Sequence, residues 1–178
     1  MGRLKQLLPL GAKPAIALCL DAITEAGISD IVVVLGPEAG RIKDVLSPSV
    51  KTVLNKVPQS EMAESVRIGL SAVDENADAV LVCLADHPLI LPATLKAMIT
   101  AHCQEPAKLI IPRFEGKKGH PCLFPGHILR DIYSQANLRQ IIASHPEDLF
   151  FLDVADDGVV LDMDTEADYE MLVRRLGR

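Results

Sequence analysis

Ala79-Val80-Leu81-Val82-Cys83-Leu84-Ala85-Asp86-His87-Pro88-Leu89 is the stretch that decides the fold. Its seven consecutive apolar residues, without polar alternation, predict a strand covered on both faces, as in the parallel sheet of an α/β domain. Pro88 cannot donate to a ladder and ends the strand. Asp86 then stands at the strand's carboxyl end, and open α/β sheets bind ligands outside those ends. The sequence therefore puts an anionic oxygen donor at the rim of a ligand crevice.

Working outward, helix and strand patterns alternate. Pro14 opens a helix that runs to Gly27, with proline and glycine in their favoured places. Ile31–Leu35 reads as a second buried strand, closed by Gly36-Pro37. Helices are expected over Glu38–Leu46, Met62–Val73, Ala93–Cys103, Ile128–Ser134, Leu138–Ser144 and Glu166–Leu176. Strands are expected over Val50–Leu54, Leu109–Pro112, Pro121–Phe124, Leu149–Val154 and Val159–Asp162. This order predicts right-handed crossovers and one three-layer αβα sandwich over residues 1–178, with a mostly parallel sheet. One feature is unusual for such a fold. The first helix precedes any strand, and the chain opens with the loop-like MGRLKQLLPLGAKP.

Composition narrows the function. Of the 178 residues 49% are apolar, with two Tyr, four Phe and no Trp. An aliphatic core suits stacked helices and strands, and base-stacking platforms for single-stranded nucleic acid are missing. A net charge of −6 argues against DNA or an anionic membrane as the main partner. A phosphate ligand remains compatible, since a few amides and local basic residues can hold one. The four cysteines, at 19, 83, 103 and 122, form no CxxC pair and read as free thiols in a reducing cytosol. No apolar run reaches the ~18–20 residues of a membrane span, and Met1-Gly-Arg lacks a signal peptide's apolar core. The expected location is the cytoplasm.

Five segments in order along the chain resemble the nucleotidyltransferases that attach a nucleotide to the molybdenum cofactor, and most closely their cytidylyltransferase branch. MGRLKQLLPL resembles the tail of that family's nucleotide loop, LAAGxSxRMGxxKxLLPL. LADHPL resembles its metal-aspartate motif LADQP, and Gly116-Lys-Lys-Gly-His-Pro121 its GxxGHP loop. Asp157-Gly-Val-Val-Leu-Asp162-Met-Asp164-Thr165-Glu-Ala-Asp168-Tyr169 resembles its DxGxxxDIDTPEDY tail. Asn55 with Met62-Ala-Glu-Ser65-Val-Arg67-Ile-Gly69-Leu70 resembles its N…GMxxSLxxGL segment. The family's opening strand and the LAAGxSxR half of the loop have no counterpart. Relative to the family the chain is N-terminally truncated, through a start placed too far downstream or as a fragment with impaired nucleotide binding. Glu61 stands where the family has Gly, and of its GDxGxR segment only Arg139 matches.

The resemblance implies a Rossmann-like nucleotidyltransferase fold and a set of site residues. Lys5 would contact the nucleotide phosphates and, with Gly2, belongs to the truncated loop; an ammonium there offsets charge developing at the α-phosphate. Asp86 would coordinate Mg²⁺, which takes one or two protein carboxylates and keeps waters. Its alternative is helix capping. Asp162 and Asp164 alternate, so on extended backbone they share a side about 7 Å apart, and one could complete the metal site. Asp168 reads as a capping partner of Thr165. His120 and Gly119 in the GKKGHP loop could meet a phosphate or the pterin of the acceptor, and His87 could line the acceptor pocket. Ser65 and Arg67 sit early in a helix, where amides and a hydroxyl favour anions; ordinary capping by Ser65 competes with that role. Asn55 is a base or ribose contact.

The implied reaction is Mg²⁺-dependent transfer of CMP from CTP to the terminal phosphate of a molybdopterin-type cofactor, with release of pyrophosphate. The phosphorylated pterin is the acceptor partner, and a molybdoenzyme or an insertion chaperone would receive the product. Two alternatives stay open: a related transferase acting on a sugar phosphate or other phosphorylated acceptor, and a catalytically impaired cofactor-binding protein.

Overall fold

A computed structural model describes residues 4–37, 39–57 and 61–177. After a 3₁₀ turn at Lys5–Leu7 the chain forms strand β1 (Pro9–Leu10), strand β2 (Lys13–Pro14), helix α1 (Ala15–Glu25), strand β3 (Val32–Leu35), helix α2 (Ala39–Lys43) and strand β4 (Lys51–Leu54). Helix α3 (Met62–Leu70), strand β5 (Ala79–Val82), helix α4 (Pro92–Gln104), strand β6 (Leu109–Phe114), strand β7 (Lys117–Lys118) and strand β8 (Cys122–Pro125) follow. Helix α5 (Gly126–Leu129), helix α6 (Leu138–Ser144), strand β9 (Leu149–Asp153) and helix α7 (Glu166–Leu176) complete the chain. The predicted Glu38 start of α2 lies outside the described residues. No helix among them is long and apolar enough to cross a membrane.

Side-chain parity along β6 and β8 generates the layers. Ile110 and Leu123 point to α4, where they bury with Met98 and Ala101. Leu109, Ile111, Cys122 and Phe124 point the other way, into a core with Ala63 of α3, Ile128 and Leu129 of α5 and Ile141 of α6. Successive strand residues face opposite sides, so helices cover both faces and the αβα sandwich follows. α7 packs apart from this core, Leu172 closing over Leu10, Ala15 and Met163.

Among the described residues the strands form three separate sheets, β1–β2, β3–β4 and a five-stranded one, and the five-stranded sheet is mixed rather than mostly parallel. β3 pairs parallel with β4, and β6 parallel with β9. β8 enters antiparallel between β5 and β6, and β7 folds back on β6 as a hairpin. The long apolar run thus belongs to a strand with an antiparallel neighbour. β5 is also shorter than its seven apolar residues. Its last partner is Cys122, opposite Val82, and the next position on the facing strand is Pro121, which has no N–H to give. Cys83–Ala85 leave the ladder, and Asp86 sits in a turn four residues beyond the strand end.

A second correction concerns Val159–Asp162, predicted as a strand. Residues Asp157–Val160 form a 3₁₀ helix instead. The cause is Asp156, a buried carboxylate whose Oδ1 accepts from Gly158 N at 2.9 Å. Its Oδ2 accepts from Leu91 N at 2.8 Å and Thr94 Oγ1 at 2.7 Å. A Cβ on Gly158 would collide with the Leu89 carbonyl, so only glycine lets this turn lie against the segment after Asp86.

Truncating Asp156 to Ala strands the buried Gly158 N–H and Thr94 hydroxyl, at about 1–3 kcal/mol each, and the part-buried Leu91 N–H. We expect urea unfolding of Asp156→Ala to show a loss on the order of 3 kcal/mol. A loss below about 1 kcal/mol would mean that the carboxylate does not hold these loops together.

Candidate active site

The candidate site gathers where β5 runs out. Asp86 is half-buried, yet its Oδ1 is fully enclosed and makes no hydrogen bond. The nearest imidazole nitrogen, Nε2 of His87, is 3.9 Å away, beyond hydrogen-bond reach. A buried anionic oxygen without a partner is costly and calls for one. His87 is buried as well, with an unpartnered Nδ1, and its ring lies 5.3 Å from that of His120. His120 is carried on the loop joining β7 to β8. That loop is pinned by Gly119 N to Pro112 O and His120 N to Val159 O, each at 2.8 Å. A Cβ on Gly119 would strike the Val159 carbonyl, so the glycine serves close packing beneath the site.

Charge is tuned by burial here. Desolvation and then the neighbouring His87 lower the His120 pKa, against an upward pull from Asp86. The lowered pKa favours the neutral imidazole, which offers a hydrogen bond rather than a charge. Cys19 of α1 lies behind Asp86, its Sγ 3.9 Å from Ala85 O and 3.7 Å from His87 O. Burial, then the Asp86 charge, push that thiol up to about 12. Burial likewise holds Cys83 and Cys122 at about 12, so all three thiols stay protonated and inert as nucleophiles. The fourth, Cys103, is exposed, and all four are free.

The other candidate residues fall into two groups. Lys5 Nζ bonds Asp164 Oδ1 at 2.8 Å, joining the N-terminal segment to the residues before α7. The Asp164 side chain is 63% exposed, so this pair is weak and open to exchange. Asp162 is half-buried on irregular backbone, and the strand that was to align it with Asp164 does not form. Asn55, buried, donates from Nδ2 to Ser65 Oγ at 3.0 Å and accepts from Val57 N at 3.0 Å, shaping the loop after β4. The Arg67 guanidinium is engaged by Ile132 O, Gln135 O and Glu64, tying α3 to the segment between α5 and α6. Thr165 and Asp168 form a reciprocal cap on α7, as their spacing predicted. Gly2 lies outside the described residues.

Among the described residues no three His, Cys, Asp or Glu side chains are grouped to hold a metal by themselves. The enclosed Asp86 oxygen still fits a hard divalent cation. Magnesium needs only one or two protein carboxylates when substrate phosphates and waters fill the other positions.

The chain matches the MobA-like NTP transferase domain over residues 1–149. It belongs to that family. Among curated relatives, the bifunctional protein GlmU of Symbiobacterium thermophilum is 32% identical over 105 residues, 58% of this chain and 22% of that protein. The chain thus aligns with about a fifth to a quarter of the length of the curated relatives it matches. Among solved structures, Rv0371c from Mycobacterium tuberculosis H37Rv superposes with a TM-score of 0.85 at 25% identity, covering 98% of this chain and 90% of that one. The same protein in complex with manganese gives a TM-score of 0.81 at 25% identity, covering 97% and 93%. These likenesses match the nucleotidyltransferase-like α/β fold that the motifs implied.

The linear sequence did not reveal Asp156, although Asp156-Asp157-Gly158 carries the signature of an Asx turn. No local signal places Cys19 behind Asp86 or brings the His87 and His120 rings together, because those contacts join segments tens of residues apart.

The two histidines with resolved shifts titrate in opposite directions. Hydrogen bonding to Asp131, aided by Asp148, raises His145. His145 lends stability in full below its ordinary pKa of 6.5 and loses it as pH rises through the raised value. His120 has a folded pKa below the unfolded one, so its contribution falls away as pH drops below 6.5. We expect NMR titration of the ring Cε1 protons to place the His120 midpoint below 6.5 and the His145 midpoint above it; the reverse order would refute the burial argument.

Proposed function

We propose that this protein is a divalent-metal-dependent nucleotidyltransferase that moves CMP from CTP to the terminal phosphate of a molybdopterin-type cofactor. The observation that carries the reading is the enclosed, unpartnered Asp86 oxygen at the end of β5, in a chain that belongs to the NTP transferase family. CTP and the pterin acceptor rest on the likeness of LADHPL and the DMDT tail to the cytidylyl branch.

An oxygen of the acceptor phosphate attacks the α-phosphorus, the bond from that phosphorus to the α–β bridging oxygen breaks, and pyrophosphate leaves with the bridging oxygen. The attacking oxygen is already anionic, so positioning and charge compensation supply most of the rate, without a strong base. Asp86 would hold Mg²⁺ or a similar cation, which compensates the charge developing on the phosphates. Asp162 and Asp164 are the candidates for a second carboxylate contact. Lys5 exchanges its exposed partner Asp164 for phosphate and adds a second positive charge. Neutral His120 donates a hydrogen bond to a phosphate or to the acceptor, and His87 lines the same wall. Asn55, positioned by Ser65, contacts base or ribose. Arg67 and Gly119 shape the walls, and Gly2 extends the phosphate grip. A molybdoenzyme or insertion chaperone would accept the product.

The test is pyrophosphate release from CTP with Mg²⁺ and a phosphorylated pterin, with GTP, ATP and sugar phosphates as competing arms. Asp86→Asn should lower kcat at least ~100-fold, equivalent to about 2.7 kcal/mol, with Tm unchanged. Failure of the wild-type protein to bind MgCTP, MgGTP or MgATP in calorimetry would refute the enzymatic reading.

Lys5→Met tests the phosphate contact separately. We expect kcat/KM for the nucleotide to fall about 10-fold or more, with the ionic-strength dependence of KM flattened as one charge contact is lost. An unchanged kcat/KM would leave Lys5 as a surface partner of Asp164 alone.

A further inference from the structure

β9 lies at a margin of the five-stranded sheet. Among the described residues it pairs with β6 and with no other strand. The bond from Val154 N to Arg113 O, at 2.9 Å, continues this parallel ladder and fixes its parity. In a parallel pair alternate residues turn both N–H and C=O to the same neighbour. Phe150, Leu152 and Val154 therefore bond to β6. The N–H and C=O of Leu149, Phe151 and Asp153 point outward and have no partner among the described residues.

The edge is unguarded. Natural edge strands are blunted by Lys, Pro, a bulge or a covering element. Leu149-Phe150-Phe151-Leu152 holds no charge and no proline, and its unbroken register with β6 leaves no bulge. All four side chains stay half-buried, whereas Leu109–Pro112 of β6 are buried. Two of the chain's four phenylalanines stand on this edge, while Phe124 of β8 is fully enclosed. The charges beside the edge are already engaged. Arg113 holds both carboxylate oxygens of Asp153, at 2.7 and 2.8 Å. Arg113 and Lys118 lie over the Phe151 ring, 5.6 and 4.8 Å from its centroid. At the strand's other end Lys108 Nζ bonds Glu147 O at 2.7 Å, and Asp148 faces His145 at 3.3 Å. None of these groups bonds to the outward amides.

We propose that this edge is the surface through which two copies of the chain associate, β9 pairing antiparallel with β9 of a second copy about a twofold axis through Phe151. The parity selects that register. Phe151 and the partner's Phe151 exchange two N–H···O bonds. Leu149 exchanges two with the partner's Asp153, and Asp153 two with the partner's Leu149, six bonds in all. A one-residue slip would set outward amides against inward ones and lose the ladder. The occupant is a second copy because the strand complements itself in this register. Phe150 meets the partner's Leu152 on the face toward α4, and Phe151 meets its counterpart on the opposite face, apolar against apolar. The two Asp153 carboxylates stand four residues apart along the pair, about 13 Å, so like charges do not oppose each other. The two five-stranded sheets become one. This assignment uses no catalytic group and stands whether or not the nucleotidyl-transfer reading does.

The test is light scattering on the 178-residue protein between about 1 and 100 μM, with hydrogen exchange read by mass spectrometry at both concentrations. We expect a concentration-dependent dimer, in which the amides of Leu149, Phe151 and Asp153 exchange at least ~10-fold more slowly at the higher concentration. Those of Phe150 and Leu152, bonded within the chain, should exchange slowly at both. Phe151→Pro removes an N–H that β6 does not use, a change that edge strands tolerate, and should give a folded monomer. The proposal is overturned by a monomer at about 100 μM. It is equally overturned by a dimer whose three outward amides exchange as fast as in the monomer, or by a folded Phe151→Pro variant that still dimerises. Should that variant not fold, the exchange pattern of the unsubstituted protein decides.

Discussion

Three loops meet on the buried carboxylate of Asp156, and the geometry of the candidate site depends on that junction. One oxygen holds the start of α4 through Leu91 and Thr94, and the other holds the 3₁₀ turn through Gly158. The turn in turn supplies the Val159 carbonyl that pins His120. Asp86–Leu91, Gly119–Pro121 and Asp156–Asp164 are thus fixed relative to one another by a handful of hydrogen bonds and two glycine contacts. In a low-dielectric interior such a network is rigid when fully satisfied, and every bond of Asp156 is matched.

Against that satisfied network the Asp86 oxygen stands out. The fold spends its polar groups carefully around Asp156 yet leaves a carboxylate oxygen enclosed and bare four residues past a strand. Burial keeps the Cys19 thiol protonated and lowers the His120 pKa, so neither competes as a permanent charge.

The sheet shows the opposite economy. Leu109–Pro112 of β6 and all of β8 are buried, while Val32–Val34 of β3 and all of β5 are half-covered beside a slot.

Much of the architecture was legible in the sequence because it rests on local rules. Apolar runs bounded by Gly and Pro marked β3, β5 and β6 to within a few residues, and Pro14 and the Thr165/Asp168 pair marked helix starts. The motif around Asp86 was likewise a local signal. What the sequence could not decide were strand partners and the fate of the DGVV segment. An apolar run looks the same beside a parallel or an antiparallel neighbour, and its usable length is set by Pro121, just ahead of a strand some forty residues later. Val159–Asp162 had strand-forming residues, but a carboxylate that closes the turn and bonds to a distant helix start overrode them. Composition and spacing determined which segments become helices and strands and where an aspartate would sit. Only long-range packing decided that one oxygen of this aspartate is enclosed without a hydrogen bond, that two histidine rings meet, and that β3 and β5 line one slot.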